Sequence, residues 1–170
     1  AVLEREKARL RADAWLFCDG PVHQSRRPLL SFGVRGVQDV ELTLYGPARP
    51  MHSGHYGNWA PNPAVEMAHL LSKLRSDEGE ILIGGFYDDV RPATEAETRA
   101  LAAAPDTGEL LRGELLLGRT EGAPARLEER ILRPALNVRG FHSGEVGDQA
   151  QNAVPRDARL SIDFRLVPNQ

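Results

Sequence analysis

The residues from Ala158 to Leu166 leave the chain little freedom. Ala158, Leu160, Ile162, Phe164 and Leu166 alternate with Arg159, Ser161, Asp163 and Arg165. A period of two puts one set on each face of an extended strand, so Arg165 falls on the face opposite the apolar row. Val40, Leu42 and Leu44 alternate with Glu41 and Thr43 in the same way, and Leu136-Asn137-Val138-Arg139-Gly140-Phe141 reads as a further strand. A helix is expected after Pro61. Asn62 can cap its free N–H groups, Pro63 fits its first turn, and Ala64, Met67, Ala68, Leu71 and Leu74 recur at helical spacing. The fold class these segments predict is α+β: an antiparallel sheet with helices on one face, beginning near residue 33.

Length and charge narrow the function classes. A chain of 170 residues, 41% hydrophobic and 26% charged, can bury a core and is not of disordered composition. Its net charge of -3 offers no general attraction for nucleic acid or anionic lipid, and neither is expected as a partner. Cys18 is the single cysteine, so no intrachain disulfide can form, and a reducing, cytoplasmic compartment is expected. No apolar run approaches membrane-spanning length, and no signal-peptide pattern opens the sequence.

Ahead of the sheet-forming part, Ala1 to Arg11 reads as a surface helix. Ala14-Trp15-Leu16-Phe17-Cys18 is a continuous apolar run, as expected of a strand covered on both faces. It ends in Asp19-Gly20-Pro21, which can be a turn; ligand sites in open α/β sheets also gather at such strand ends. Residues 22–34 have linker composition. Farther on, Ser76-Asp77-Glu78-Gly79 reads as a turn and Ile81-Leu82-Ile83 as a short strand. Phe86-Tyr87-Asp88-Asp89 reads as a loop, because adjacent acids seldom converge on one ion. Thr94 and Glu97 have capping-box spacing for a helix that Pro105 stops. Residues 106–133 read as short helices and irregular connections, with Glu128-Glu129 on a charged helix face.

The stretch Tyr45 to Ala64 is the strongest candidate for chemistry. It places His52 and His55 among Gly46, Gly54 and Gly57 between a strand and a helix start. Glycines there predict backbone angles that a side chain would forbid, a shape able to hold an imidazole out from the fold. Spacing alone fits equally a turn that happens to contain histidine. His142-Ser143-Gly144 repeats the tripeptide at His52 without any longer repeat around it.

His52-Ser53-Gly54, Asn62-Pro63-Ala64, Gly85-Phe86-Tyr87-Asp88-Asp89-Val90, Phe32-Gly33-Val34-Arg35-Gly36 and Arg165-Leu166-Val167-Pro168-Asn169-Gln170 resemble, in order, the lid domain of the metal-dependent exopeptidase and deacylase family. Carnosinase-like dipeptidases, acetylornithine deacetylase and succinyl-diaminopimelate desuccinylase belong to that family. The resemblance implies that residues 1–32 are the end of an α/β catalytic domain plus a linker, and 33–170 a lid and dimerisation domain. It implies a chain truncated at both ends, inactive by itself. The implied parent is a homodimeric hydrolase of amide bonds in dipeptides or N-acylated amino acids. Its cofactor would be two divalent metal ions, zinc with manganese or cobalt as alternatives. By the same resemblance Asp19 would bind metal, His52 would stabilise the oxyanion in the partner subunit's site, and Asn152 and Arg165 would contact substrate. Many relatives carry Lys-Thr before the corresponding Val-Pro, where this chain has Gln151-Asn152-Ala153; an amide replaces a hydroxyl there. The residues also leave open a non-catalytic dimerisation or binding module, since no His-x-Asp motif or Glu-Glu pair precedes Asp19.

Overall fold

The alternation between Ala158 and Leu166 becomes the middle strand of a three-stranded antiparallel sheet. The computed structural model describes residues 2–170 except Pro21, Gln24, Pro28, Leu30 and Phe32. In chain order the elements are α1 (Val2–Glu6), β1 (Gly36–Tyr45), β2 (Met51–His52), α2 (Ser53–Tyr56), α3 (Pro63–Leu74), α4 (Glu95–Ala103), α5 (Gly108–Glu114), α6 (Leu127–Arg130), β3 (Ala135–His142), β4 (Ala153–Val154) and β5 (Asp157–Leu166). The chain divides into two compact units, Ala1–Ser31 and Phe32–Gln170.

Within the second unit β5 is flanked by β1 and β3. Val40 lies opposite Ile162, Leu42 opposite Leu160 and Leu44 opposite Ala158, while Leu136 and Val138 face Phe164 and Ile162 from the other side. Paired residues share a face, so the register gathers these side chains into one apolar surface. Met67 of α3 is fully buried against it, with Ile81, Leu136, Ala158, Leu160 and Ile162 completing the core. The helix starts where the residues dictate: Asn62 Oδ1 accepts from the Ala64 N–H at 3.0 Å and Pro63 occupies the first turn. The opposite face is polar, with Arg139 donating to Asp39 at 2.6 Å and Glu41 at 3.0 Å.

β3 carries a bulge. The register shifts between Val138 and Gly140, which returns Phe141 to the apolar face opposite Leu160. Beyond α3, the capping box of α4 forms in full, Glu97 N–H donating to Thr94 Oγ1 at 3.2 Å and Thr94 N–H to Glu97 Oε2 at 2.7 Å. Arg126 closes the other end of α4 by donating to the Leu101 and Ala104 carbonyls at 3.1 and 3.0 Å. Glu80 receives Arg130 at 2.9 Å and Arg133 at 2.6 Å, which anchors the irregular segment after α5.

Two expected strands do not form. Residues 14–18 are exposed and irregular, with Leu16 80% and Phe17 79% accessible. A strand exists only where neighbours satisfy its backbone groups, and among the described residues none pairs with this run. Ile81-Leu82-Ile83 makes a single bridge, Arg75 opposite Ile81, though Ile81 is buried as its hydrophobicity demands. The expected first helix is shorter, ending at Glu6 before a turn. Parts of four expectations lie outside the described residues: Ala1 of that helix, Pro21 of the Asp-Gly-Pro turn, Gln24, Pro28 and Leu30 of the linker, and Phe32 of the Phe-Gly-Val-Arg-Gly phrase.

Candidate functional site

β2 and β4 form a two-residue antiparallel ladder, Met51 opposite Val154 and His52 opposite Ala153. The Ser53 N–H extends it by donating to the Asn152 carbonyl at 2.8 Å. His52 and Asn152, remote in the chain, are therefore backbone neighbours. His52 is exposed, and its orientation is set by one bond: the Gly54 N–H donates to Nδ1 at 3.1 Å. With Nδ1 accepting, a neutral imidazole carries its proton on Nε2, on the opposite side of the ring. The rings of His52 and His55 lie 4.9 Å apart, and His55, Tyr56 and Trp59 continue an aromatic row at spacings of 6.4 and 6.2 Å.

The loop's glycines matter for space, which corrects the expectation of unusual backbone angles. None of Gly46, Gly54 and Gly57 has a positive φ. A Cβ on Gly54 would instead lie 3.0 Å from His52 Cε1, and one on Gly57 would lie 2.6 Å from the Ser53 carbonyl oxygen. Gly54 thus leaves room for the very ring its N–H orients. His142-Ser143-Gly144 shows how little the tripeptide alone means: His142 ends β3 and its Nε2 lies 3.6 Å from Glu145.

Arg165 occupies the far end of β5. From Asp157 to Arg165 the strand advances about 27 Å at roughly 3.4 Å per residue, so one copy of the fold does not bring Arg165 to His52. Arg165 Nε donates to Asp163 Oδ2 at 2.9 Å, and Asn137 Nδ2 donates to Asp163 Oδ1 at 2.7 Å. Asp163 is buried, and its carboxyl is held below the usual aspartate value, first by the Asn137 hydrogen bond and then by Arg165, against the opposing effect of burial. Arg165 itself is half exposed, its Nη groups free of protein partners among the described residues.

Asp19 lies in the Ala1–Ser31 unit and is exposed. Among the described residues no three His, Cys, Asp or Glu side chains converge as metal ligands. These residues do not by themselves fit a dinuclear centre. The sequence named Arg35 and His55 without giving either a place: the structure brings Arg35 close enough to Arg165 for their charges to interact, and sets the His55 ring against His52.

An antiparallel sheet carrying a helix on one face makes this an α+β domain. The peptidase dimerisation domain model of the M20 family matches residues 32–170, and the chain belongs to that family. It is 29% identical to the Cys-Gly metallodipeptidase of Schizosaccharomyces pombe, over 98% of this chain and 35% of that protein. It is 26% identical to the human Beta-Ala-His dipeptidase, over 99% of this chain and 34% of that protein. An M20 family metallo-carboxypeptidase from Sulfolobus solfataricus has a similar structure, with a TM-score of 0.83 at 32% identity, covering 99% of this chain and 44% of that one. The chain spans about a third of the length of these curated relatives. Among the described residues no helix is long and apolar enough to cross a membrane.

Proposed function

We propose that this chain is the lid and dimerisation portion of a cytoplasmic metal-dependent peptidase, with residues 1–32 the end of its catalytic domain and 33–170 the lid. The substrates are dipeptides or N-acylated amino acids. The observation that carries the proposal is the Gly54 N–H on His52 Nδ1, which leaves Nε2–H as the donor of an exposed ring. A donor so placed can stabilise the oxyanion that forms when an amide carbonyl is attacked. Arg165 offers a planar fork suited to a substrate carboxylate. Asn152 accompanies His52 because the β2–β4 ladder fixes them together.

Two divalent ions, zinc with manganese or cobalt as alternatives, would polarise water and the substrate carbonyl in the parent. Asp19 is the single ligand this chain would give them, and its own residues perform the binding and charge stabilisation. The separation of His52 from Arg165 supports a composite site: His52 and Asn152 act in the partner subunit of a homodimer, while Arg165 serves its own. The relatives' names, Cys-Gly and Beta-Ala-His dipeptidase, support the substrate class.

Mixed dimers of the full-length protein test this. His52→Ala and Asp19→Ala variants, each strongly impaired alone, are expected to regain part of the activity when mixed, because one composite site receives an intact histidine and an intact metal ligand. If heterodimers form, as shown by two affinity tags, and stay as impaired as either parent, His52 does not act across the dimer.

A further inference from the structure

Arg165 is not the only guanidinium at its end of the sheet. Val37 of β1 and Ala135 of β3 lie opposite Arg165 on its two sides. Arg35 precedes Val37 by two residues, which in extended chain puts both on one face. Its Nη1 donates to the Arg133 carbonyl at 3.4 Å, two residues before Ala135. The Arg35 side chain therefore starts beside β1 and ends beside the start of β3, crossing the end of β5 on the face that carries Arg165.

Two positive charges meet there, and the nearest acid is committed. Both oxygens of Asp163 are engaged, Oδ1 by Asn137 and Oδ2 by Arg165 Nε. Arg35 is held below the usual arginine value first by burial and then by the Arg165 charge, with Asp163 as the partial offset. Among the described residues, Arg35 Nε and Nη2 and both Nη groups of Arg165 have no protein acceptor. Asp39, opposite Asp163 in the register, is taken by Arg139, so the two guanidinium groups share one saturated carboxylate and keep a set of unused N–H donors. A planar carboxylate would engage those donors with charge-assisted hydrogen bonds.

We propose that Arg35 binds substrate directly, forming with Arg165 a two-guanidinium cradle for the terminal carboxylate of a dipeptide or N-acylamino acid. The proposal rests on Arg165 taking that carboxylate, and it adds a second residue that sets the preference for a free acid over a neutral end. It also separates the roles of the two arginines. Arg165, fixed by Asp163, gives direction; Arg35, fixed only by a backbone carbonyl, adds charge and can swing toward the ligand.

The test compares each substrate as the free acid and as its C-terminal amide in the full-length enzyme. Arg35→Met is expected to raise KM for the acid about tenfold, the loss of one charge-assisted bond, with kcat little changed and the amide unaffected. Arg35→Lys is expected to recover part of the loss, since it keeps the charge without the fork. If Arg35→Met changes acid and amide alike, or neither, Arg35 is a strut between strands and the proposal is overturned. Arg165→Met separates the underlying reading: an enzyme that then still discriminates acid from amide removes Arg165 from carboxylate binding. Should Arg35→Met fail to fold, Arg35→Lys and Arg35→Gln are compared on the same substrates. The comparison also runs without turnover, as the rise in melting temperature on adding N-acetylglycine or its amide. A rise specific to the acid in the parent and diminished in the Arg35 variants supports the cradle, and an equal rise in parent and variants overturns it.

Discussion

The two ends of β5 are built on opposite plans. At the Asp157 end the candidate group is exposed and lightly held: one backbone N–H orients His52, and Gly54 clears space for the ring. At the Arg165 end the candidate group sits in a network whose centre, Asp163, is buried and saturated. The difference follows from what each would have to do. A donor to a transient oxyanion needs an unobstructed N–H, whereas a carboxylate receptor needs a guanidinium held in place and only partly neutralised. The two devices thus lie toward opposite ends of β5, His52 on β2 and Arg165 on β5 itself, too far apart to share a ligand within one copy, which is the arrangement a composite site between two copies would use.

The strand's middle is where that comparison breaks most completely. Leu160 is fully buried between the two ends, and Leu160→Ala is expected to cost about 2–5 kcal/mol of stability. The urea midpoint of the variant should fall, and His52-dependent and Arg165-dependent functions should be lost together. Next comes His52→Ala, which should leave the urea midpoint unchanged because the ring is exposed. In the full-length enzyme it should lower kcat by about two orders of magnitude, on the order of 3 kcal/mol of transition-state stabilisation. A stability loss in this variant would mean that the two ends are less different than their burial implies. Gly54→Ala sharpens the point further. Its φ suits alanine, but the new Cβ meets the imidazole, so kcat should fall about tenfold from misplacement of the ring while the fold is retained.

What could be read in the sequence was local. The alternation of β5 and β1, the Asn62 cap of α3 and the Thr94 box of α4 depend on neighbours within a few residues, and all appear as expected. Residues 106–133 were ambiguous in sequence, and the short helices expected there are α5 and α6. Residues 14–18 went the other way because apolar content cannot say whether a ladder partner is at hand. Phe141 breaks the alternation of β3, and only the bulge at Arg139 explains how it regains the apolar face. The glycines of the His52 loop were assigned a backbone role, whereas their φ values are ordinary and their neighbours are close. In the candidate site, His52 stood out by its setting and Asn152 and Arg165 by resemblance. That His52 and Asn152 share a ladder, and that Arg35 crosses toward Arg165, are consequences of register between distant segments and leave no local mark.

The smallest expected effect concerns pH and again divides the two ends. Asp163 is held below the ordinary aspartate value, with the Asn137 hydrogen bond the leading cause and Arg165 and Arg139 adding to it. A carboxyl whose folded value is depressed contributes stability above its unfolded value, near 4. That contribution is lost as the pH falls through the lower folded value. Asn137→Ala removes the leading cause and leaves Asp163 buried, so its folded value should rise toward or above the ordinary one. Stability at neutral pH should then drop by about 1 kcal/mol, and acid unfolding should begin at higher pH. His52→Ala, at the opposite end and outside this network, should leave the acid limb where it was. Chemical denaturation of both variants between neutral pH and pH 3 measures this directly. An Asn137→Ala curve that overlays the parent's in acid would show that Asp163 does not depend on its amide partner, and the buried, saturated carboxylate that distinguishes the Arg165 end would lose its energetic meaning.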